Sequence, residues 1–150
     1  MADPRAFVSF DYDFDNTSKV LFAGQADSKS PTPFTVSDWS SKTELPEDEW
    51  EDLIQAKIKK VNMLIVLVGE HMSSATGVNK EIQFAKDANV PIFGVYVNGG
   101  GSASTLPDGL ARSRTVTWTW PNVGDMIDQC MNEGKNKPVN ASAFRGYWGQ

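Results

Sequence analysis

Met63-Leu64-Ile65-Val66-Leu67-Val68, followed by Gly69-Glu70-His71-Met72-Ser73-Ser74, is the stretch that decides the fold. Six consecutive apolar residues, half of them β-branched and closed by a glycine, suit a short strand buried on both faces, as in the middle of a parallel sheet. Polar residues gather just past its carboxyl end, and in open α/β sheets that edge is where ligands bind.

Upstream, Ala6-Phe7-Val8-Ser9-Phe10 predicts a first strand, and Asp11 to Asn16 reads as a polar and aromatic loop. Val20, Leu21 and Ala23-Gly24 support a short helix over 17–26. After the turn-rich break from Ser28 to Pro33, Phe34-Thr35-Val36 is brief enough to be an edge strand, and Ser37 to Thr43 is expected as a polar loop carrying Trp39. Pro46 with Glu47, Asp48 and Glu49 opens a helix, because proline lacks only an amide hydrogen that is unpaired there and acids favour the positive end of the helix dipole. Trp50, Leu53, Ile54, Ile58 and Val61 then fall on one apolar face.

Downstream of the central strand, Ser73 to Gly77 offers capping hydroxyls, and Val78, Ile82 and Ala85 predict a helix over 77–89. Val90 to Val97 is the fourth strand, with Pro91 tolerable at its beginning, and a loop continues from Asn98 to about Ser113. Val116 to Trp120 alternates like a half-exposed last strand. Pro121 opens a helix whose apolar stripe is Val123, Met126, Ile127, Cys130 and Met131. Alternation of this kind implies an α/β domain, a five-stranded parallel sheet in the order 2-1-3-4-5 with helices on both faces. The domain is expected over 1–134. The tail, 135–150, carries Phe144, Tyr147 and Trp148, which suggests docking on the domain or on a partner.

A chain of 150 residues has room for one domain, and 40% apolar with 22% charged residues is ordinary for a globular protein. No window reaches the length of a membrane span, and the first residues, Met1-Ala2-Asp3-Pro4-Arg5, lack the basic and apolar regions of a signal peptide, so a cytoplasmic location is expected. A net charge of −5 argues against nucleic acid or an anionic membrane as partner. One cysteine, Cys130, and one histidine, His71, make neither an intramolecular disulfide nor a zinc site of the usual kind, and no metal site is assigned.

In the order 2-1-3-4-5 the crevice lies between the carboxyl ends of strands 1 and 3. Phe10, Asp11, Trp39, Ser73 and Ser74 surround it, and Asn98 follows the fourth strand. Glu81 lies about one turn into the helix after the central strand, and with Val78, Ile82 and Ala85 packed inward it is expected at the crevice rim, pointing sideways. Each residue also has a plainer reading. Glu81 suits a solvated helix face, the serines suit helix caps, Asp11 suits a loop acceptor and Asn98 a turn before three glycines. Trp39 suits either loop packing or a stacking platform for a nucleobase.

The first strand with its acidic and aromatic exit resembles the opening strand of TIR domains, and especially of the TIR-like proteins of the bacterial Thoeris anti-phage system. So do the Gly-Glu-His-Met-Ser-Ser exit of the central strand, Gly77-Val78-Asn79-Lys80-Glu81-Ile82, and Val95-Tyr96-Val97-Asn98. The resemblance covers about residues 5 to 133. It implies a flavodoxin-like three-layer sandwich that takes NAD as substrate, with no separate cofactor, and cleaves the nicotinamide–ribose bond to an ADP-ribose-derived product, linear or cyclic, read by a downstream effector. Glu81 matches the family's catalytic glutamate. The family's Trp-x-x-x-Glu pattern has Gly77 here in place of tryptophan.

Two other classes fit the same fold. A phosphorylation-dependent receiver would use Asp11 and Asp13, but it needs an aspartate after strand 3, where Gly69-Glu70 stands, and a lysine after strand 5, where Trp118-Thr119-Trp120 stands. A non-catalytic TIR-type scaffold would act by self-association through the loop from Ser37 to Leu45, and self-association that activates an enzyme could use the acidic helix start at Glu47 to Glu49, the Trp39 loop or the aromatic tail.

Overall fold

The computed structural model describes residues 4–40, 46–70 and 76–134, with the backbone alone for Tyr12, Asp13 and Thr76. The elements run β1 (Arg5–Ser9), α1 (Tyr12–Gln25), β2 (Thr35–Trp39), α2 (Glu47–Ile58), β3 (Met63–Val68), α3 (Thr76–Asp87), β4 (Ile92–Tyr96), a 3-10 turn (Arg112–Arg114), β5 (Thr115–Thr117) and α4 (Trp120–Glu133). All neighbouring strands pair in parallel, in the order β2-β1-β3-β4-β5. All six residues of β3 are buried, as expected for its place in the middle.

Strand side chains alternate between faces, so each strand feeds two cores. Val8 and Phe10, Met63, Ile65 and Leu67, with Phe93 and Val95, pack against Phe22 of α1 and Val123, Ile127 and Cys130 of α4. Phe7, Leu64, Val66 and Val68 face the other way, onto Ile54 and Ile58 of α2 and Val78, Ile82 and Ala85 of α3. At about 1.5–3 kcal/mol for each large apolar side chain fully buried, these two layers account for most of the folding drive. The result is a flavodoxin-like three-layer sandwich.

Several boundaries differ from the sequence expectation. α1 begins at Tyr12, not near residue 17, because the carbonyl of Asp11 accepts the amides of Phe14 (3.2 Å) and Asp15 (2.8 Å) and starts the helix in what reads as a loop. β2 extends to Trp39, so Ser37 and Asp38 are strand residues. Pairing with β1 holds them there, although no alternation of apolar residues marks them. Leu53 and Met131, assigned to buried stripes, are exposed. The connection from β4 to β5 is a loop, as expected, and ends in the 3-10 turn. Residues 41–45, 71–75 and the tail, 135–150, including Ser73, Ser74 and His71, lie outside the described residues.

The register of β2 is what the site depends on. Ala6 pairs with Val36 but Phe7 with Asp38, so Ser37 is an extra residue, a β-bulge. Every later residue of β2 is moved one place along β1, and Val8 pairs with Trp39. The Ser40 amide donates to the Val8 carbonyl (2.9 Å), which continues the shifted ladder and sets Ser40 beside Ser9.

Candidate active site

Ser9, at the end of β1, faces the α2/α3 layer, as Phe7 does. The hydroxyls of Ser9 and Ser40 both donate to Oε1 of Glu81, each at 2.5 Å. Ser9, Ser40 and Glu81 are all buried, Glu81 being only 1% exposed. This corrects the expected rim position of Glu81. Val78, Glu81, Ile82 and Ala85 share one face of α3, since 81 lies three residues after 78 and four before 85, so packing the apolar three inward carries the carboxylate inward with them.

Burial pushes the Glu81 carboxyl up to about 7, against the downward pull of the Ser40 and Ser9 hydroxyls. Its described partners are hydroxyls, with no cation among them. The next residue along the chain shows the contrast. Lys80 points out of the fold and pairs with Glu47 and, at 2.9 Å, with Glu51 of α2. A carboxyl poised near neutrality can change charge when a ligand arrives, which a paired surface acid cannot do as readily.

Around this group the predicted residues divide. Phe10 is buried in the α1/α4 core and joins the site through its backbone, its amide donating to the Ser40 hydroxyl oxygen (3.1 Å). Asp11 is buried at the start of α1. Trp39 ends β2 and is 37% exposed, but the ammonium of Lys19 stands 4.3 Å from the ring centroid, so one face is already occupied by a cation–π contact. Asn98 lies in the left-handed region, with φ 46°, and its side-chain amide donates to the Phe14 carbonyl (3.2 Å) and to Oδ1 of Asp15 (3.0 Å). It ties the exit of β4 to the first turn of α1. Gly69 completes that junction: a Cβ there would lie 2.5 Å from the Asp15 carboxylate oxygens, so only glycine lets the exit of β3 pass. At Gly77, where the family pattern has tryptophan, the ring of Trp50 from α2 comes to 4.0 Å of the missing Cβ position.

Ser9, Ser40 and Asp15 were not singled out from the sequence. Ser9 had a signal, being the one polar residue among Ala6-Phe7-Val8-Ser9-Phe10. Ser40 had none, because a bulge cannot be read from a polar run. Cys130 is no nucleophile, since its thiol is buried and pushed up to about 12, chiefly by that burial.

The family model described as the TIR-like domain of the Thoeris protein ThsB matches residues 7–101. The chain belongs to that family. The matched segment runs from β1 to just beyond β4 and contains Ser9, Ser40, Glu81 and Asn98; β5 and α4 follow it. No curated protein matches the chain. Within this Thoeris TIR-like domain, no helix among the described residues is long and apolar enough to cross a membrane.

Proposed function

We propose that this Thoeris TIR-like domain cleaves NAD at the nicotinamide–ribose bond, with Glu81 as the catalytic carboxylate, and that its product signals in anti-phage defence. The observation that carries the reading is a buried carboxyl at the carboxyl edge of the sheet, poised about neutrality and held by hydroxyls, on the helix that follows the central strand. In the reaction the bond between ribose C1′ and the pyridinium nitrogen breaks, and its electron pair leaves with neutral nicotinamide. Positive charge develops on the ribose. A carboxylate beside the sugar stabilises that charge more in the transition state than in the ground state, where the charge sits on the pyridinium ring. Water then adds to C1′ and loses a proton, giving ADP-ribose, or a nucleophilic atom of the same ADP-ribose adds and gives a cyclic product. NAD is the substrate, and a downstream effector reads the product. Trp39, at the same carboxyl edge but on the α1 side of the sheet, contacts the dinucleotide.

Incubating the purified protein with NAD and resolving products by chromatography and mass spectrometry tests this directly. Release of nicotinamide by the wild-type protein and not by Glu81→Gln supports the reading. Equal release by a folded Glu81→Gln protein removes Glu81 from the chemistry.

A second reading, assembly with like domains without catalysis, is favoured by the exposed apolar residues Phe14, Val20 and Leu21 along α1. It expects no nicotinamide release by either protein, and association in sedimentation that is lost on Leu21→Glu.

A further inference from the structure

We infer that Ser9 and Ser40 are positioning residues, a two-hydroxyl clamp that aims the Glu81 carboxylate and favours its charged form. The inference rests on the reading of Glu81 as the catalytic group and deepens it. Three chain segments far apart in sequence, the end of β1, the residue after β2 and α3, meet on one carboxylate oxygen. Both hydroxyls reach Oε1.

The Ser40 arm is fixed by the backbone. In the shifted parallel ladder the Phe10 amide would next donate to the Ser40 carbonyl. It donates instead to the Ser40 hydroxyl oxygen (3.1 Å), while the Ser40 amide stays bonded to the Val8 carbonyl (2.9 Å). A hydroxyl has a single hydrogen, and with its oxygen accepting from Phe10 that hydrogen is committed to Glu81. Backbone amide, serine and glutamate thus form a one-way chain of donors ending at the carboxylate. A clamp of donors favours the anion, and it is the anion that can stabilise a developing ribosyl cation. Burial works against the anion, so the hydroxyls decide how much of the protein is competent near neutral pH. The bulge at Ser37 is part of the device, since without that extra residue Trp39 would lie beside Ser9.

The experiment follows the side-chain carboxyl of Glu81 by carbon-13 NMR of glutamate-labelled protein against pH without NAD, its resonance identified by its absence in Glu81→Gln. Ser9→Ala and Ser40→Ala are each expected to raise the midpoint by about 1 pH unit, the worth of one hydrogen bond to a charged group, and the double variant by more. In parallel, nicotinamide release by Ser40→Ala is expected to fall in kcat with KM little changed, the deficit being larger below neutrality than in mildly alkaline solution. Midpoints equal to wild type in both folded single variants overturn the clamp whatever happens to NAD. A raised midpoint in a protein that never releases nicotinamide leaves the clamp standing and removes the proposed reaction, so the two failures are distinguishable.

Discussion

The two edges of the sheet treat charge in opposite ways. At the amino edge a cavity of about 570 Å³ opens among Lys86, Asn89, Ile92, Leu110 and Arg114. Its ionic group is matched: Arg114 donates through Nε to the Ile92 carbonyl (2.7 Å) and forks onto both carboxylate oxygens of Glu133 (2.7 and 2.8 Å). At the carboxyl edge Glu81 is almost wholly buried, and its described partners are hydroxyls without a counter-charge. Volume marks the first edge and, among the described residues, a carboxyl without a cation partner marks the second. A matched pair is stable whichever ligand comes, whereas an acid kept near its titration point responds to a cation beside it, which is why the proposed chemistry is assigned to the second edge.

The largest effect that would break this contrast is on turnover. Glu81→Gln keeps the size and an acceptor for the serines but removes the charge, and a loss of ~10²–10³ in NAD cleavage is expected, as for deletion of one transition-state stabilising group. Initial rates of nicotinamide release measure it.

Next comes a stability effect of the same substitution. The folded-state carboxyl of Glu81 titrates at about 7, above its ordinary value of 4.5, so between those values the folded protein holds a proton that the unfolded chain has released. Stability contributed by this group is therefore full below pH 4.5 and is lost as pH rises through about 7, by roughly 3 kcal/mol at 1.36 kcal/mol per pH unit. Glutamine does not titrate, so urea unfolding should show Glu81→Gln gaining on wild type as pH rises across that window. A pH-independent difference would mean that Glu81 is not an uncompensated buried acid.

A smaller loss is expected at the other edge. Arg114→Ala strips the Ile92 carbonyl and Glu133 of their donor, and about 1–3 kcal/mol of stability should go, read from the urea midpoint, with turnover per folded molecule unchanged. Lost turnover in a folded Arg114→Ala protein would bring the amino edge into the function. The smallest effect is at Lys80, whose ion pairs to Glu47 and Glu51 are solvated; Lys80→Ala should leave both the unfolding curve and turnover as they are.

Of the site, Glu81 and its helix were legible, but its burial was read the wrong way. The stripe Val78, Ile82 and Ala85 does not turn Glu81 sideways, because position 81 belongs to the same face. A carboxylate in an apolar stripe is ordinarily a surface residue at the margin, and only packing tells margin from centre. Trp39 was legible as a tryptophan near the crevice, while Lys19 on its ring was not, because that contact joins α1 to β2 across 20 residues of sequence.

By itself the sequence determined the layer architecture. An uninterrupted apolar run can be buried only in the middle of a covered parallel sheet, and alternating strand and helix periods leave few ways to cover it. The strand order observed is the one expected from them. What only the tertiary structure decided is the setting of the carboxylate. The bulge that shifts β2 along β1 by one residue, the meeting of Ser9 and Ser40 on one oxygen, and the start of α1 on the Asp11 carbonyl are all pairings between segments. The local sequence of a polar segment carries no period that specifies its register, so such pairings are settled by packing against the rest of the fold.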